Sequence, residues 1–380
     1  MILELHLIQN FAPSNLNRSD TGSPKDCIFG GVRRARISSQ CFKRAIRWES
    51  DFQAALESSG GSVRTRRLIA EITNLVTNNG HEREKVLKLV SDIFNAGGIE
   101  RRAKKGGDGD SEDTKLVIFM NKSSIAEMAQ LIKDNLEELS NKETKEVVIK
   151  KLGEALTTSV KSPDVALFGR MLEIEPSKPF GKLNLGVNAA SQVAHAISTH
   201  KVGLDFDYFT AVDDLLGSGE VGAGMLGTIE FNSACFYRYA NINIDLLKKN
   251  LGDDELTQKT VKAFIQSATN AIPKGKQTWS ATHEKPSLVY AVVRNSGMMS
   301  LANAFEKPVH SPNGGLVDRS IEALAEHYVK VTGVYGDGAK SRIFITTGDA
   351  GKAAALGENV GTFDSLLDRT MSAIFNGREG

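Results

Sequence analysis

Cysteine is scarce in this chain of 380 residues: there are three, at positions 27, 41 and 235. They are too few and too scattered for a disulfide framework or a CxxC zinc knuckle, and a reducing cytoplasm fits such usage. Long apolar runs are missing too. No stretch approaches the roughly 18 uninterrupted apolar residues of a bilayer span, so no membrane partner is expected. The opening Met1-Ile-Leu-Glu-Leu-His-Leu-Ile carries Glu4 and His6 and reads as a strand, not a signal peptide. The seven histidines (6, 81, 195, 200, 283, 310 and 327) have neither HxxxH nor HExxH spacing, which argues against a metal site. GxSxG, GxxxxGK[ST] and kinase patterns are absent as well, and no catalytic residue and no cofactor is assigned.

Charge is nearly balanced. A net +1 would argue against a nucleic-acid partner if it were spread evenly. It is not: from Lys25 to Arg67 ten Lys or Arg stand against four Asp or Glu, a local +6 that leaves about −5 for the rest. Such asymmetry suggests one basic face on a neutral body.

Composition is otherwise that of an ordinary globular protein, 41% apolar and 24% charged. Residues 2–9 alternate with the period of a strand buried on one side. A polar, turn-rich loop follows from Pro13 to Arg36, and Ser38 or Ser39 then supplies an N-cap for a helix through about Phe52. Helical periodicity fills 63–156 in short segments, broken at Gly97-Gly98 and by the Gly- and charge-rich run 97–113, which reads as a mobile surface loop. Strand patterns are expected at 164–174, 187–199, 228–244, 288–294 and 341–346, with helices near 257–271, 317–332 and 362–375. Strands wrapped around helical inserts, with no fixed repeat, make the fold α+β.

At 100° per residue Gln40, Lys43 and Arg47 fall within about 60° of one another, and Phe42, Ala45 and Ile46 lie opposite. The Ser38–Ser39 hydroxyls and the free N–H groups of that helix terminus suit anions, and with Arg33, Arg34 and Arg36 upstream they form a donor-rich surface for consecutive phosphates. The plain alternative is a solvated amphipathic helix. Gly222-Ala-Gly224-Met-Leu-Gly227 spells GxGxxG, but the next residues alternate as a strand where a dinucleotide site needs a helix. It reads instead as a flexible return from an excursion at 200–227. There Tyr208 and Phe209 sit among Asp205, Asp207, Asp213 and Asp214, placed either to stack on bases or to pin the loop.

Taken together, Asn17-Arg18, Lys25-Asp26, Ile28-Phe29-Gly30-Gly31, Arg33-Arg34-Ala-Arg36-Ile-Ser38-Ser39-Gln40 and Lys43-Arg44-Ala45 resemble the CasC backbone subunit of type I-E CRISPR Cascade, the Cas-seven family. Ala194-His195-Ala196-Ile197-Ser-Thr-His200, Phe209-Thr-Ala-Val-Asp-Asp214, Phe236-Tyr-Arg-Tyr-Ala-Asn-Ile242 and Ala302-Asn-Ala-Phe305 extend the likeness in order beyond residue 305.

The resemblance implies an RRM-like (ferredoxin-like) palm at 1–59 and 181–380, a helical fingers insertion at 60–180 and an extended thumb loop or hairpin at about 200–227. It implies a non-catalytic subunit that polymerises along CRISPR RNA and presents the guide in segments for pairing with target DNA. Its partners would be further copies of itself and the subunits CasA, CasB, CasD and CasE. Arg18, Lys25, Arg34, Ser38, Gln40, Lys43, Arg44 and Arg47 are expected on the guide backbone, Met171 as a wedge, and Tyr208, Phe209 and Thr210 at the thumb tip. Tyr208 stands where the family often has Trp, and the RNP1 aromatic pattern is absent, so RRM here describes topology. Two other readings are a metal-dependent endoribonuclease like the backbone subunits of type III complexes, with Asp20 or Asp26 as its carboxylate, and a free-standing RNA chaperone.

Overall fold

A computed structural model describes residues 1–77, 82–103, 110–212, 223–312 and 315–376. The chain divides into two compact units: one comprises Met1–Phe52, Gln192–Ile244 and Val261–Gly380, the other Gln53–Ser191 and Asp245–Thr260.

The first unit is built on a sheet of ten strands among the described residues: β1 (Ile2–Ser14), β2 (Asp26–Phe29), β3 (Val32–Ile37), β4 (Ser191–Val193), β5 (Ala196–Ser198), β6 (Asp205–Val212), β7 (Ala223–Asn243), β8 (Leu288–Arg294), β9 (Ala339–Thr346) and β10 (Glu358–Asn359). Their order is β10-β9-β8-β1-β7-β5-β3-β2, with β4 and β6 also pairing on β7. The helices α1 (Ser39–Arg47) and α2 (Asp254–Asn270) connect β1 to β5 and β7 to β8. The central strands therefore run β8-β1-β7-β5, each antiparallel to its neighbour, the order of a βαββαβ unit.

Burial on both faces is what the alternation of residues 2–9 did not foretell. Tyr237, Tyr290 and Phe344 pack on one side beneath α3 (Leu316–Tyr335), with Ile321 and Tyr328 from that helix. Phe11, Ile37, Ala234 and Phe236 pack on the other side with Phe42 of α1. The polar side chains Glu4, His6 and Gln9 of β1 are buried with partners. Glu4 Oε2 accepts from Arg294 Nε at 2.5 Å, and its Oε1 accepts from the Tyr239 hydroxyl at 2.7 Å and the Met299 N–H at 2.6 Å.

His6 Nδ1 lies 2.9 Å from the Tyr237 hydroxyl, and burial, helped by the Arg294 charge, pulls its pKa from 6.5 down to about 3. Because the native state refuses a proton that the unfolded chain accepts below pH 6.5, stability is full above that value and falls as pH drops toward 3. The slope is about 1.4 kcal/mol per unit, hence about 2 kcal/mol lost by pH 5 from this residue. Denaturant unfolding at pH 7 and pH 5 is expected to show a smaller acid loss in His6→Asn than in the native sequence; equal losses would contradict the assignment.

Several sequence expectations need correction. The supposed loop from Pro13 to Arg36 contains the β2–β3 hairpin, turned by Gly30 and Gly31 at φ +59° and +75°, as a two-residue type I′ turn requires. A helix through Phe52 is broken: the Trp48 and Glu49 amides bond back three residues, which tightens the last turn of α1, and a second helix starts at Ser50. The run 164–174 is not a strand. Pro163 sets the first turn of a helix over Pro163–Phe168, and buried Asp164 accepts from Ser162 Oγ and the Val165 N–H. The strand expected at 228–244 begins at Ala223, so the supposed flexible return is itself paired.

The second unit is mainly helical, with helices over Leu68–Thr77, Arg83–Gly97, Lys122–Asp134 and Lys142–Thr158 around Ile69, Val90, Phe94, Ile132, Leu152 and Phe180. Around the segment 97–113, Arg101 pairs with Thr114 and Ala103 with Asp110; residues 104–109 lie outside the described residues.

Candidate nucleic-acid interface

Two asparagines fold the first loop onto the sheet. Asn15 Nδ2 donates to the carbonyls of Gly22 (2.8 Å) and Glu230 (3.0 Å), and Asn17 Oδ1 accepts the Ser38 N–H at 2.8 Å. The Lys25 N–H donates to the Asn17 carbonyl and the Arg36 N–H to that of Lys25. These bonds bring Lys25, Arg36 and the start of α1 together.

On α1 the solvent side carries Gln40 and Arg44, both exposed, with half-buried Lys43 and Arg47, while Phe42, Ala45 and Ile46 are buried. Phe42 is seated by the Arg238 guanidinium, 4.2 Å above its ring and itself bonded to Gln9 Oε1 and the Ala268 carbonyl, both at 2.5 Å. Such a clamp fixes the rotation of the helix and thereby aims the basic face. Partial burial lowers the pKa of Lys43, and a partly desolvated ammonium gains more from an anion than a hydrated one.

The helix terminus is less open than its sequence implies. Ser38 is the N-cap, is 7% exposed, and accepts the Cys41 N–H at 3.3 Å. The Ser39 N–H is taken by His195 Nδ1 at 3.3 Å, and Arg36 Nη1 lies 3.2 Å from the same nitrogen. Arg33 pairs with the Asp26 carboxylate. Arg34 is fully buried and spends its guanidinium on the carbonyls of Phe29, Ser198, Phe305 and Glu306, so it is a strut of the fold and cannot reach a ligand. Arg18 is exposed beside Pro24, to which it forms a bridge. Asp20 is exposed, and no group of three metal-ligating side chains occurs among the described residues.

Tyr208, Phe209 and Thr210 lie in the β6–β7 hairpin, where Tyr208 faces Thr228 and Phe209 faces Gly227; residues 213–222 lie outside the described residues. Strand alternation sends Tyr208 and Phe209 to opposite faces. Phe209 lies over Gly227, where an added Cβ would come within 2.3 Å of its ring, so a larger residue there would have to push the ring aside. Tyr208, 64% exposed, shares its face with Phe206, 66% exposed, which the sequence reading passed over.

Met171, in the second unit, is 79% exposed. It follows Arg170, whose buried guanidinium donates to the carbonyls of Leu185, Phe119 and Leu156 and to Ser159 Oγ, and whose pKa burial pulls down to about 10. Sequence reasoning also missed any part for His195, weighing it only as a metal ligand. The one signal was its place in the motif Ala194-His195-Ala196.

A family model described as CT1975-like protein matches residues 3–369. A chain from a structure described as a "CRISPR RNA-guided surveillance complex, pre-nicking" is similar with a TM-score of 0.85 and 28% identity, covering 99% of this chain and 100% of that one. Another, described as a "CRISPR RNA-guided surveillance complex", has a TM-score of 0.74 and 25% identity, covering 98% and 100%. No curated protein matches this sequence.

Proposed function

Since the chain belongs to the CT1975-like protein family, we propose that it is a non-catalytic, CRISPR RNA-binding backbone subunit of a Cascade-type surveillance complex, of the type I-E kind and equivalent to CasC. The observation that carries this reading is α1: Gln40, Lys43, Arg44 and Arg47 share one face of a helix whose other face is clamped to the sheet. A row of donors at helical spacing, on a rigid base, grips phosphates without reading bases. Its likeness over nearly the whole chain to subunits of CRISPR RNA-guided complexes supports the same role. The β8-β1-β7-β5 order supports an RRM-like palm, and the β6–β7 hairpin a thumb.

In this proposal Arg18, Lys25, Gln40, Lys43, Arg44 and Arg47 hold the guide backbone, Met171 wedges against it, and Tyr208 with Thr210 separates bases. Copies assemble head to tail along the spacer beside the other Cascade subunits, and sequence reading passes to pairing between guide and target DNA. The endoribonuclease reading would have to rest on Asp20, since the Asp26 carboxylate is taken by Arg33.

The test is co-expression with a CRISPR array and the remaining subunits. Purified protein should carry RNA of one defined length; RNA of random length, or none, would contradict the proposal.

A further inference from the structure

We propose that His195 is a further contact to the guide backbone: an uncharged hydrogen-bond donor, held in its Nε2–H form, that binds a phosphate oxygen beside Lys25 and Arg36. This rests on the reading of the basic strip as the RNA-backbone site.

His195 occupies the link between β4 and β5, and β5 pairs with β3 through Ile197 against Arg36 and Ala196 against Ile37. That register sets the imidazole at the N-terminus of α1. Its Nδ1 meets two groups that only donate, the Ser39 amide at 3.3 Å and the Arg36 guanidinium at 3.2 Å. A nitrogen facing two donors must carry a lone pair, so in the neutral ring the hydrogen sits on Nε2. Burial and the charges of Arg36 and Lys25 lower the pKa of His195, which keeps the ring neutral near pH 7. The side chain is exposed, and its bonds to the Ser39 amide and the Arg36 guanidinium both run through Nδ1, which leaves Nε2 on the other side of the ring. An exposed, oriented N–H in a field made positive by Arg36 and Lys25 suits an anionic oxygen.

A neutral donor leaves a signature that a lysine does not: its removal weakens binding without releasing fewer counterions. Three variants separate donation by Nε2 from mere capping of α1 by Nδ1. Gln places its amide donor near the Nε2 position, Asn places its carbonyl near Nδ1, and Ala supplies neither. His195→Gln should bind single-stranded RNA within about threefold of the native protein, while His195→Asn and His195→Ala lose about tenfold, all with an unchanged salt slope. Native-like binding by Asn with a loss in Gln would reduce His195 to a cap, and native-like binding by all three, or a changed slope, would overturn the proposal. Nitrogen-15 spectra of histidine-labelled protein should report the Nε2–H form; the Nδ1–H form would also overturn it. Lys43→Ala/Arg47→Ala, assayed alongside, separates the two levels. If that double variant loses affinity and the His195 variants do not, the strip stands and only this inference fails; if the double variant binds normally, the strip itself is refuted.

Discussion

Replacing Lys43 and Arg47 together by Ala is expected to weaken binding to single-stranded RNA about a hundredfold or more, because two charge-assisted phosphate contacts of about 1.5–3 kcal/mol each are lost. The fold should survive, since the side chains that α1 buries are Phe42, Ala45 and Ile46. Two features distinguish this loss from a general disturbance. It should be nearly equal for unrelated RNA sequences, and the slope of log affinity against log salt should flatten by about 0.7 for each contact removed. Titrations of two unrelated RNAs at several salt concentrations read both at once. A loss confined to one sequence, or a slope like that of the native protein, would mean that α1 does not hold the backbone.

Tyr208→Ala is expected to produce the second large effect, of the opposite electrostatic kind. Base–aromatic stacking is worth about 1–3 kcal/mol per base, so affinity should fall about 5- to 150-fold with the salt slope unchanged. Tyr208→Trp should preserve binding, since either ring offers a π-face. A guide carrying 2-aminopurine should be brighter, hence more unstacked, at regular intervals on the native protein and uniformly quenched with Tyr208→Ala. Phe209 behaves differently in this account. Its ring lies over Gly227 and is the less exposed of the two, so Phe209→Ala should loosen the hairpin more than it removes stacking surface. If Phe209→Ala alone abolished the periodic signal and Tyr208→Ala left it intact, the roles assigned to the two faces would be reversed.

The α+β class, the strand at 288–294 and the long C-terminal helices were legible in the sequence because each is a strongly periodic run bounded by turn residues. The amphipathic face of α1 was legible for the same reason. Arg34 was not: it stands in a run with Arg33 and Arg36, and nothing local tells that β3 turns it inward, where the distant carbonyls of Ser198, Phe305 and Glu306 and the nearby one of Phe29 await it. Likewise the Ser39 N–H looked free because its acceptor, His195, is brought there by a strand pairing 156 residues away. Reading 200–227 as an irregular excursion hid the period of two that separates Tyr208 from Phe209 and joins it to Phe206. At 164–174 the short apolar run Val165-Ala-Leu-Phe168 resembles a buried strand, but Pro163 and buried Asp164 start a helical turn that such a run does not anticipate.

The most direct test of the central claim is to irradiate the complex with RNA bearing photoreactive uridines at every position and map the attached peptides by mass spectrometry. The account predicts crosslinks concentrated in the segment from Arg36 to Trp48 and in the arm from Asp205 to Val212, recurring at a fixed interval along the RNA. Crosslinks confined to other surfaces, with the α1 peptides unmodified, would contradict it.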